Sequence, residues 1–274
     1  MVWVLRILSA GLILFGSFMV LIKPNRKRGI RLPTEMFAHR GLHGAGVPEN
    51  SLLAFLLAKE RGYGIELDVQ LTRDKKVVVF HDPDLLRMCG VDKRVDELTY
   101  AELKQYCLGS SHEYIPLLSE VLELLVDVPV ICELKPHAGN NNTEICEYVC
   151  QEIADYAGEL WIESFSPFIV RWFKLNRPDI IRGQLSMDFI RQREGLNLLE
   201  AFLMKHLLVN FIGRPDFIGY RAEHSSFGFT LCRRLFQPIC LAWTVTEPEL
   251  KEKMRNRFHG FIFEEKAQGS EESH

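Results

Sequence analysis

The chain has 274 residues, of which 47% are hydrophobic and 25% are charged, and its formal net charge at pH 7 is −3. This length exceeds that of an average domain but suits a single α/β barrel of about 250 residues. The nearly neutral charge and the lack of a basic stripe argue against a nucleic acid partner. Composition does not indicate an oligomeric state.

The cysteines are odd in number, dispersed, and without a Cys-x-x-Cys pair that would indicate zinc or redox chemistry. This pattern predicts reduced core thiols in a reducing compartment, with disulfides as the alternative. The seven residues are Cys89, Cys107, Cys132, Cys146, Cys150, Cys232 and Cys240.

The N-terminal segment is apolar over residues 2–22 except for Arg6. A helix of this length is about 30 Å long and matches the hydrocarbon core of a bilayer, while Arg6 can snorkel to the interface. We therefore predict a transmembrane anchor at residues 1–22. The alternative is a cleaved secretory signal, although no clear small-x-small cleavage site follows the apolar run.

Residues 23–35 form a basic linker after this apolar segment. Positive-inside bias predicts that the large C-terminal part is cytoplasmic. The same charges either bind anionic lipid head groups or serve only to fix the topology, and both interpretations stay open. The basic residues are Lys23, Arg26, Lys27, Arg28 and Arg31.

Short β-like runs alternate with helical patterns over residues 36–265, which predicts a single TIM-type (β/α)8 barrel with a parallel sheet. The pattern contains nine candidate strands for eight barrel positions, so one of them either lies outside the barrel or is not a strand. The strand at 77–80 follows the strand at 65–69 too closely for a helical crossover and interrupts the repeat. Residues 266–274 are predicted to be a loose polar tail.

Polar residues collect where the predicted strands end. If residues 65–69 form a strand, Glu66 and Asp68 share one face while apolar side chains pack behind them. The carboxyl ends of barrel strands meet at one mouth, where catalytic side chains lie. The other polar residues at such ends are His39, Arg40, His81, Glu133 and Lys135.

Several motifs agree in order, spacing and residue type with one known family. Together they resemble the glycerophosphodiester phosphodiesterase family of the phospholipase-C-like phosphodiesterase superfamily, over most of residues 36–265. The motifs are His39-Arg40-Gly41, Pro48-Glu49-Asn50-Ser51, Glu66-Leu67-Asp68, Leu71-Thr72-Arg73-Asp74, His81-Asp82, Glu133-Leu134-Lys135, Ser164-Phe165 and Trp243-Thr244-Val245.

This resemblance implies that Glu66, Asp68 and Glu133 ligate a divalent cation, Ca²⁺ or Mg²⁺. The residue types agree, because hard carboxylate oxygens suit a hard cation and no thiolate ligands accompany them. A cation would also offset the repulsion between three carboxylates and an anionic diester.

The resemblance further implies that His39 and His81 are the acid/base pair, and we assign His39 as the base and His81 as the acid. The attacking group is water or the substrate's own glycerol 2-hydroxyl. Arg40 and Lys135 would bind the non-bridging phosphate oxygens. Glu49 would hold Arg40 or the glycerol, and Trp243, a typical core residue by its strand position, would lie near the glycerol.

The predicted function is a membrane-tethered, metal-dependent phosphodiesterase that converts glycerophosphodiesters to glycerol 3-phosphate and an alcohol. One alternative is a lysophospholipase D acting at the bilayer, and another is a non-catalytic module that binds phosphate head groups. The chain departs from the family pattern at the last strand, where Phe263-Glu264-Glu265 replaces an aspartate and a proline. We expect this departure to affect barrel closure and to leave the chemistry unchanged.

Overall fold

The computed structural model describes residues 2–25, 29–136 and 141–265. The predicted tail, residues 266–274, and part of the basic linker lie outside these ranges. The strands in the described residues are β1 (Met36–His39), β2 (Gly64–Leu71), β3 (Val77–Val79), β4 (Val130–Leu134), β5 (Leu160–Ser164), β6 (Arg182–Ser186), β7 (Phe217–Arg221), β8 (Ile239–Val245) and β9 (Gly260–Phe263).

The helices alternate with these strands after a long N-terminal helix. They are α1 (Val2–Ile22), α2 (Leu52–Glu60), α3 (Leu86–Cys89), α4 (Tyr100–Leu103), α5 (Leu118–Leu124), α6 (Glu144–Glu152), α7 (Pro167–Asn176), α8 (Leu198–Lys205), α9 (Asn210–Gly213), α10 (Phe227–Phe236) and α11 (Pro248–Met254). Helix α2 begins after Ser51, whose side chain accepts a hydrogen bond from the backbone N–H of Ala54 at 3.1 Å.

Eight parallel strands of the described residues form a closed barrel, because β1 pairs in parallel with both β2 and β9. The predicted (β/α)8 barrel is therefore confirmed. The ninth strand, β3, pairs antiparallel with β2 and lies outside the barrel, as the short connection requires. The departure at the last strand does not prevent closure, since β9 keeps its pairing with β1.

Side-chain alternation along the strands separates two layers. Ile65, Leu67 and Val69 of β2 belong to the core between the sheet and the helices. Inward positions change from apolar to polar toward the carboxyl end of a strand: Ile131 packs in the floor of the barrel, and Glu133 follows two residues later on the same face. The floor is closed from below by Ile30 and Leu32, which precede β1.

Helix α1 is the one helix of the described residues that is long and apolar enough to cross a membrane, and only 6% of its most apolar window is buried. Ile22, at its C-terminal end, is fully buried against the barrel. All seven cysteines are within the described residues and unpaired there; four of them are buried, as expected for core thiols, whereas Cys107 is exposed.

Candidate active site

Three carboxylates meet at the mouth of the barrel, at the carboxyl ends of β2 and β4. Glu66, Asp68 and Glu133 each contribute an oxygen atom, and these oxygens lie within 4.8 Å of one another. The parallel register places Asp68 directly opposite Glu133 on the neighbouring strand. The three side chains are buried, so their negative charges face one another with little water between them.

This crowding changes the affinity of the carboxylates for protons. Burial, reinforced by the charges of Asp68 and Glu163, raises the pKa of Glu66 well above its usual value. Burial also raises the pKa of Glu133 to about 7. An oxygen-only donor set whose members repel one another fits a hard divalent cation, since bound positive charge would relieve that repulsion.

Protein cations supply part of the balancing charge at Asp68. The Nζ atom of Lys135 lies 3.0 Å from Asp68 Oδ1 and 3.0 Å from Glu133 Oε1, and the Nε atom of Arg40 lies 3.3 Å from Asp68 Oδ2. Although burial opposes ionisation, these two cations lower the pKa of Asp68. Asn50 donates a further hydrogen bond to Asp68 Oδ2 at 2.9 Å.

The backbone after β1 bends sharply to place Arg40 beside this cluster. Arg40 has a φ of 55° and its backbone N–H donates to the Glu66 carbonyl at 2.9 Å. Gly41 follows with a φ of 78°, and a Cβ there would lie 2.7 Å from the backbone carbon of Ala54 in α2. Only glycine permits this close approach, which explains its place in the His-Arg-Gly motif.

Glu49 is paired with arginines. It accepts a hydrogen bond from Arg40 Nη1 at 2.8 Å and two from Arg87, a residue of α3 that sequence reasoning did not identify. Arg87 also donates to Asp82 Oδ2 at 2.6 Å, and Asp82 Oδ1 lies 2.7 Å from His81 Nδ1. This chain of contacts links the two predicted groups Arg40 and His81 across the mouth.

His39 is held by Glu264, which follows the last strand. Its Nδ1 atom lies 2.5 Å from Glu264 Oε1, and the hydrogen bond from His39 lowers the pKa of Glu264. The departure at the last strand therefore reaches the site through this contact, and the expectation that it leaves the chemistry unchanged stays a prediction. The alternation of β9 was the missed signal, because Glu264 follows the inward-facing Ile262 by two residues.

A cavity of about 240 Å³ lies above the carboxylate cluster. His39 Nε2 is 3.8 Å from Glu66 Oε2, so the ring edge opposite Glu264 is turned toward the cluster. Trp243 also lines the cavity, with its ring packed edge-on against Phe165 at 5.5 Å. The predicted site residues along its wall are His39, Arg40, Glu66, His81, Glu133 and Trp243. Glu163 and Arg221 line the same cavity.

Two other polar residues near the ends of later strands, Gln184 and Asp188, are held by structural contacts. The Gln184 amide donates to the carbonyls of Ser164 and Phe165, and Asp188 accepts a hydrogen bond from Lys205 at 2.7 Å. Glu163 does reach the cavity, and its Oε2 atom is buried without a hydrogen-bond partner in the described residues.

A (β/α)8 barrel with carboxylates, two histidines and cations at its mouth carries the groups that acid/base chemistry on a charged substrate requires, as in a barrel enzyme. The sequence model of the glycerophosphoryl diester phosphodiesterase family matches residues 39–257. A glycerophosphodiester phosphodiesterase of Bacillus altitudinis is 37% identical over 173 residues, which cover 58% of this chain and 69% of that protein. The chain therefore belongs to the glycerophosphodiester phosphodiesterase family, whose members hydrolyse glycerophosphodiesters.

Other relatives agree with this assignment. A lysophospholipase D of Rattus norvegicus is 31% identical over 183 residues, which cover 60% of this chain and only 56% of that protein. A glycerophosphodiester phosphodiesterase structure from Thermotoga maritima superposes with a TM-score of 0.64 at 27% identity, covering 85% of this chain and 96% of that one. A phosphodiesterase of Oleispira antarctica shares the fold with a TM-score of 0.70 at 24% identity, covering 84% and 92%.

Proposed function

We propose that the chain cleaves glycerophosphodiesters to glycerol 3-phosphate and an alcohol, using a divalent cation at Glu66, Asp68 and Glu133. The observation that carries this proposal is the meeting of three carboxylate oxygens within 4.8 Å at a cavity that His39 and His81 also line. When bound, Ca²⁺ or Mg²⁺ would stabilise negative charge on a phosphate oxygen. The domain plan is an anchor at 1–22, a linker at 23–35 and a barrel at 36–265.

Two histidines would move the protons. In the neutral tautomer that donates its Nδ1–H to the Glu264 carboxylate, His39 has a free lone pair on Nε2 and can remove a proton from the attacking hydroxyl. On the other side, His81 protonates the departing alcohol. Burial and the charge of Lys135 lower the pKa of His81, so its protonated form is a stronger acid than free histidine.

The cations of the mouth would bind the diester. Arg40 is oriented by Glu49 and Asp68, which leaves part of its planar guanidinium for the non-bridging oxygens. Lys135 adds a point charge beside the same oxygens. The ring of Trp243 offers an apolar wall to the carbon atoms of glycerol, since Trp243 lines the cavity with the cluster.

Membrane tethering through α1 places this chemistry at a lipid surface, with the barrel on the cytoplasmic side. A second candidate function is therefore lysophospholipase D activity on lysophospholipids in the bilayer. Two observations favour it: the exposed apolar α1, and the similarity to a protein named lysophospholipase D. A non-catalytic phosphate-binding module is disfavoured, because such a module does not need two histidines beside the carboxylates.

Hydrolysis of glycerophosphocholine and lysophosphatidylcholine, with and without EDTA, tests the proposal. We expect EDTA, His39→Ala and Glu66→Ala each to abolish both activities. Glu265→Gln is the matched control, because Glu265 adjoins the site but pairs with Arg61 at the exposed surface, 2.8 Å away. Activity that persists in EDTA or in both alanine variants would contradict the proposed site.

A further inference from the structure

The C-terminal end of α1 is fastened to one wall of the barrel. The carbonyl of Ile22 accepts a hydrogen bond from Asn210 Nδ2 of α9 at 2.9 Å and contacts the Cys232 sulfur of α10 at 3.4 Å. Arg214 donates to the carbonyls of Val20 and Lys23 at 2.9 and 2.7 Å. The helix therefore has a defined direction relative to the barrel.

That direction leads from the floor of the barrel to its mouth. Asn25, just after α1, bonds to Pro215 and Asp216, which precede β7 at the floor. One turn before the end of α1, Phe18 packs on Phe227, the first residue of α10, with ring centroids 5.6 Å apart. Because α10 starts after the carboxyl end of β7, Phe227 lies at the mouth, and α1 leaves the barrel on that side.

The length of the free part of α1 determines how far the barrel lies from a bilayer. Residues 2–17 are exposed and span roughly 24 Å at 1.5 Å per residue. This is shorter than the hydrocarbon core of a membrane, which is about 30 Å thick. A spanning α1 must therefore be inserted down to its contact with the barrel, which brings the mouth against the lipid.

The surface beside that contact is apolar. Helix α8 lies on the mouth side, because its last residues contact the carboxyl ends of two strands. The Met204 carbonyl accepts a hydrogen bond from Ser186 of β6 at 2.8 Å. The Lys205 carbonyl accepts one from Tyr220 of β7 at 3.0 Å. We call its exposed residues Leu198, Leu199 and Phe202, together with Phe227, the mouth-side rim. Their exposed fractions are 60%, 67%, 43% and 63%.

Charged residues near the rim also suit a lipid surface. The loop from β6 to α8 carries two exposed arginines, Arg191 and Arg193, against one exposed acid, Glu194, and the exposed Glu200 of α8 itself is engaged in the capping box with Asn197. Exposed apolar side chains flanked by arginines match the acyl and head-group layers of a membrane interface.

We propose that the barrel docks on the bilayer mouth first, with the mouth-side rim in the interface and the carboxylate cluster facing the lipid. This inference rests on the proposed membrane tether and adds the orientation of the site. A phosphodiester lipid in the leaflet then reaches the cavity without crossing bulk water, whereas a floor-first arrangement would keep it away.

Two exposed leucines on the same side of the barrel provide the test. Leu199 belongs to the rim, and Leu235, 55% exposed, lies at the floor end of α10. In full-length protein reconstituted in phosphatidylcholine vesicles, Leu199→Glu should lower hydrolysis of vesicle lysophosphatidylcholine about tenfold and leave that of soluble glycerophosphocholine unchanged. Leu235→Glu should change neither rate. Equal losses in the two variants, or a loss only in Leu235→Glu, would overturn the orientation.

A measurement that needs no activity separates this inference from the proposed function. Benzoylphenylalanine introduced at position 199 should form photo-adducts with vesicle phosphatidylcholine, and at position 235 it should form none. Lipid adducts at 235 alone, no adducts at either position, or adducts between two protein chains at 199 would each overturn the docking. If the wild type hydrolyses neither substrate, the proposed function fails while the photo-adducts still decide the orientation.

Discussion

Replacing Glu264 by alanine removes the carboxylate that holds Nδ1 of His39 at 2.5 Å. The hydrogen bond from His39 lowers the pKa of Glu264, so the pair is charge-assisted near neutral pH. A hydrogen bond to a charged group contributes about 1.5–3 kcal/mol, which corresponds to a ceiling of about 10- to 150-fold in rate. The Glu264 side chain is 32% exposed and partly screened by water, so we expect kcat to fall about 10- to 30-fold.

Steady-state kinetics on glycerophosphocholine separate orientation of His39 from general damage. Glu264→Ala should lower kcat with little change in KM or in the thermal midpoint, because the substrate-binding cations are untouched. Glu264→Gln should recover much of the rate, since its amide oxygen still accepts the Nδ1 proton. Glu265→Gln, the exposed neighbour, serves as the control. An unchanged kcat in Glu264→Ala, or an equal loss in Glu265→Gln, would refute the orienting role.

The other predictions concern the cation, the turn after β1 and the topology. Ca²⁺ at a hundredfold excess over its Kd should stabilise the wild type by about 2.7 kcal/mol in thermal unfolding. It should leave the stability of Asp68→Asn unchanged, and equal stabilisation of the two proteins would contradict the cation site. Gly41→Ala should cost about 1–3 kcal/mol more in urea unfolding than Gly46→Ala, because both have φ near 80° but only Gly41 faces backbone atoms. The acceptor sequence from Asn141 to Thr143, in which Asn141 is exposed, should stay unglycosylated in microsomes, as in a Thr143→Ala control; an endoglycosidase-sensitive shift would place the barrel in the lumen.

Much of the fold was readable from local patterns. Alternation of apolar and polar residues in 65–69 predicted the inward carboxylates Glu66 and Asp68, and the observed register agrees. The short connection after this strand predicted an interruption of the β/α repeat, and β3 pairs antiparallel with β2 there and lies outside the barrel. These features depend on side-chain period and chain length, which operate over a few residues.

Other features needed the closed barrel. Asn50 and Ser51 are neighbours before α2, yet the Asn50 side chain bonds to Asp68 while the Ser51 side chain caps the helix. Glu264 is 225 positions from His39 in the chain, and only the pairing of β9 with β1 brings them together.

The sequence by itself determined the alternating barrel, the strand-end location of the polar residues and the apolar character of α1, because each follows from the periodicity or composition of one segment. Tertiary structure alone decided which polar residues touch and which end of the barrel α1 leaves. Those outcomes depend on barrel closure and on contacts such as Phe18 with Phe227, made between residues far apart in the chain.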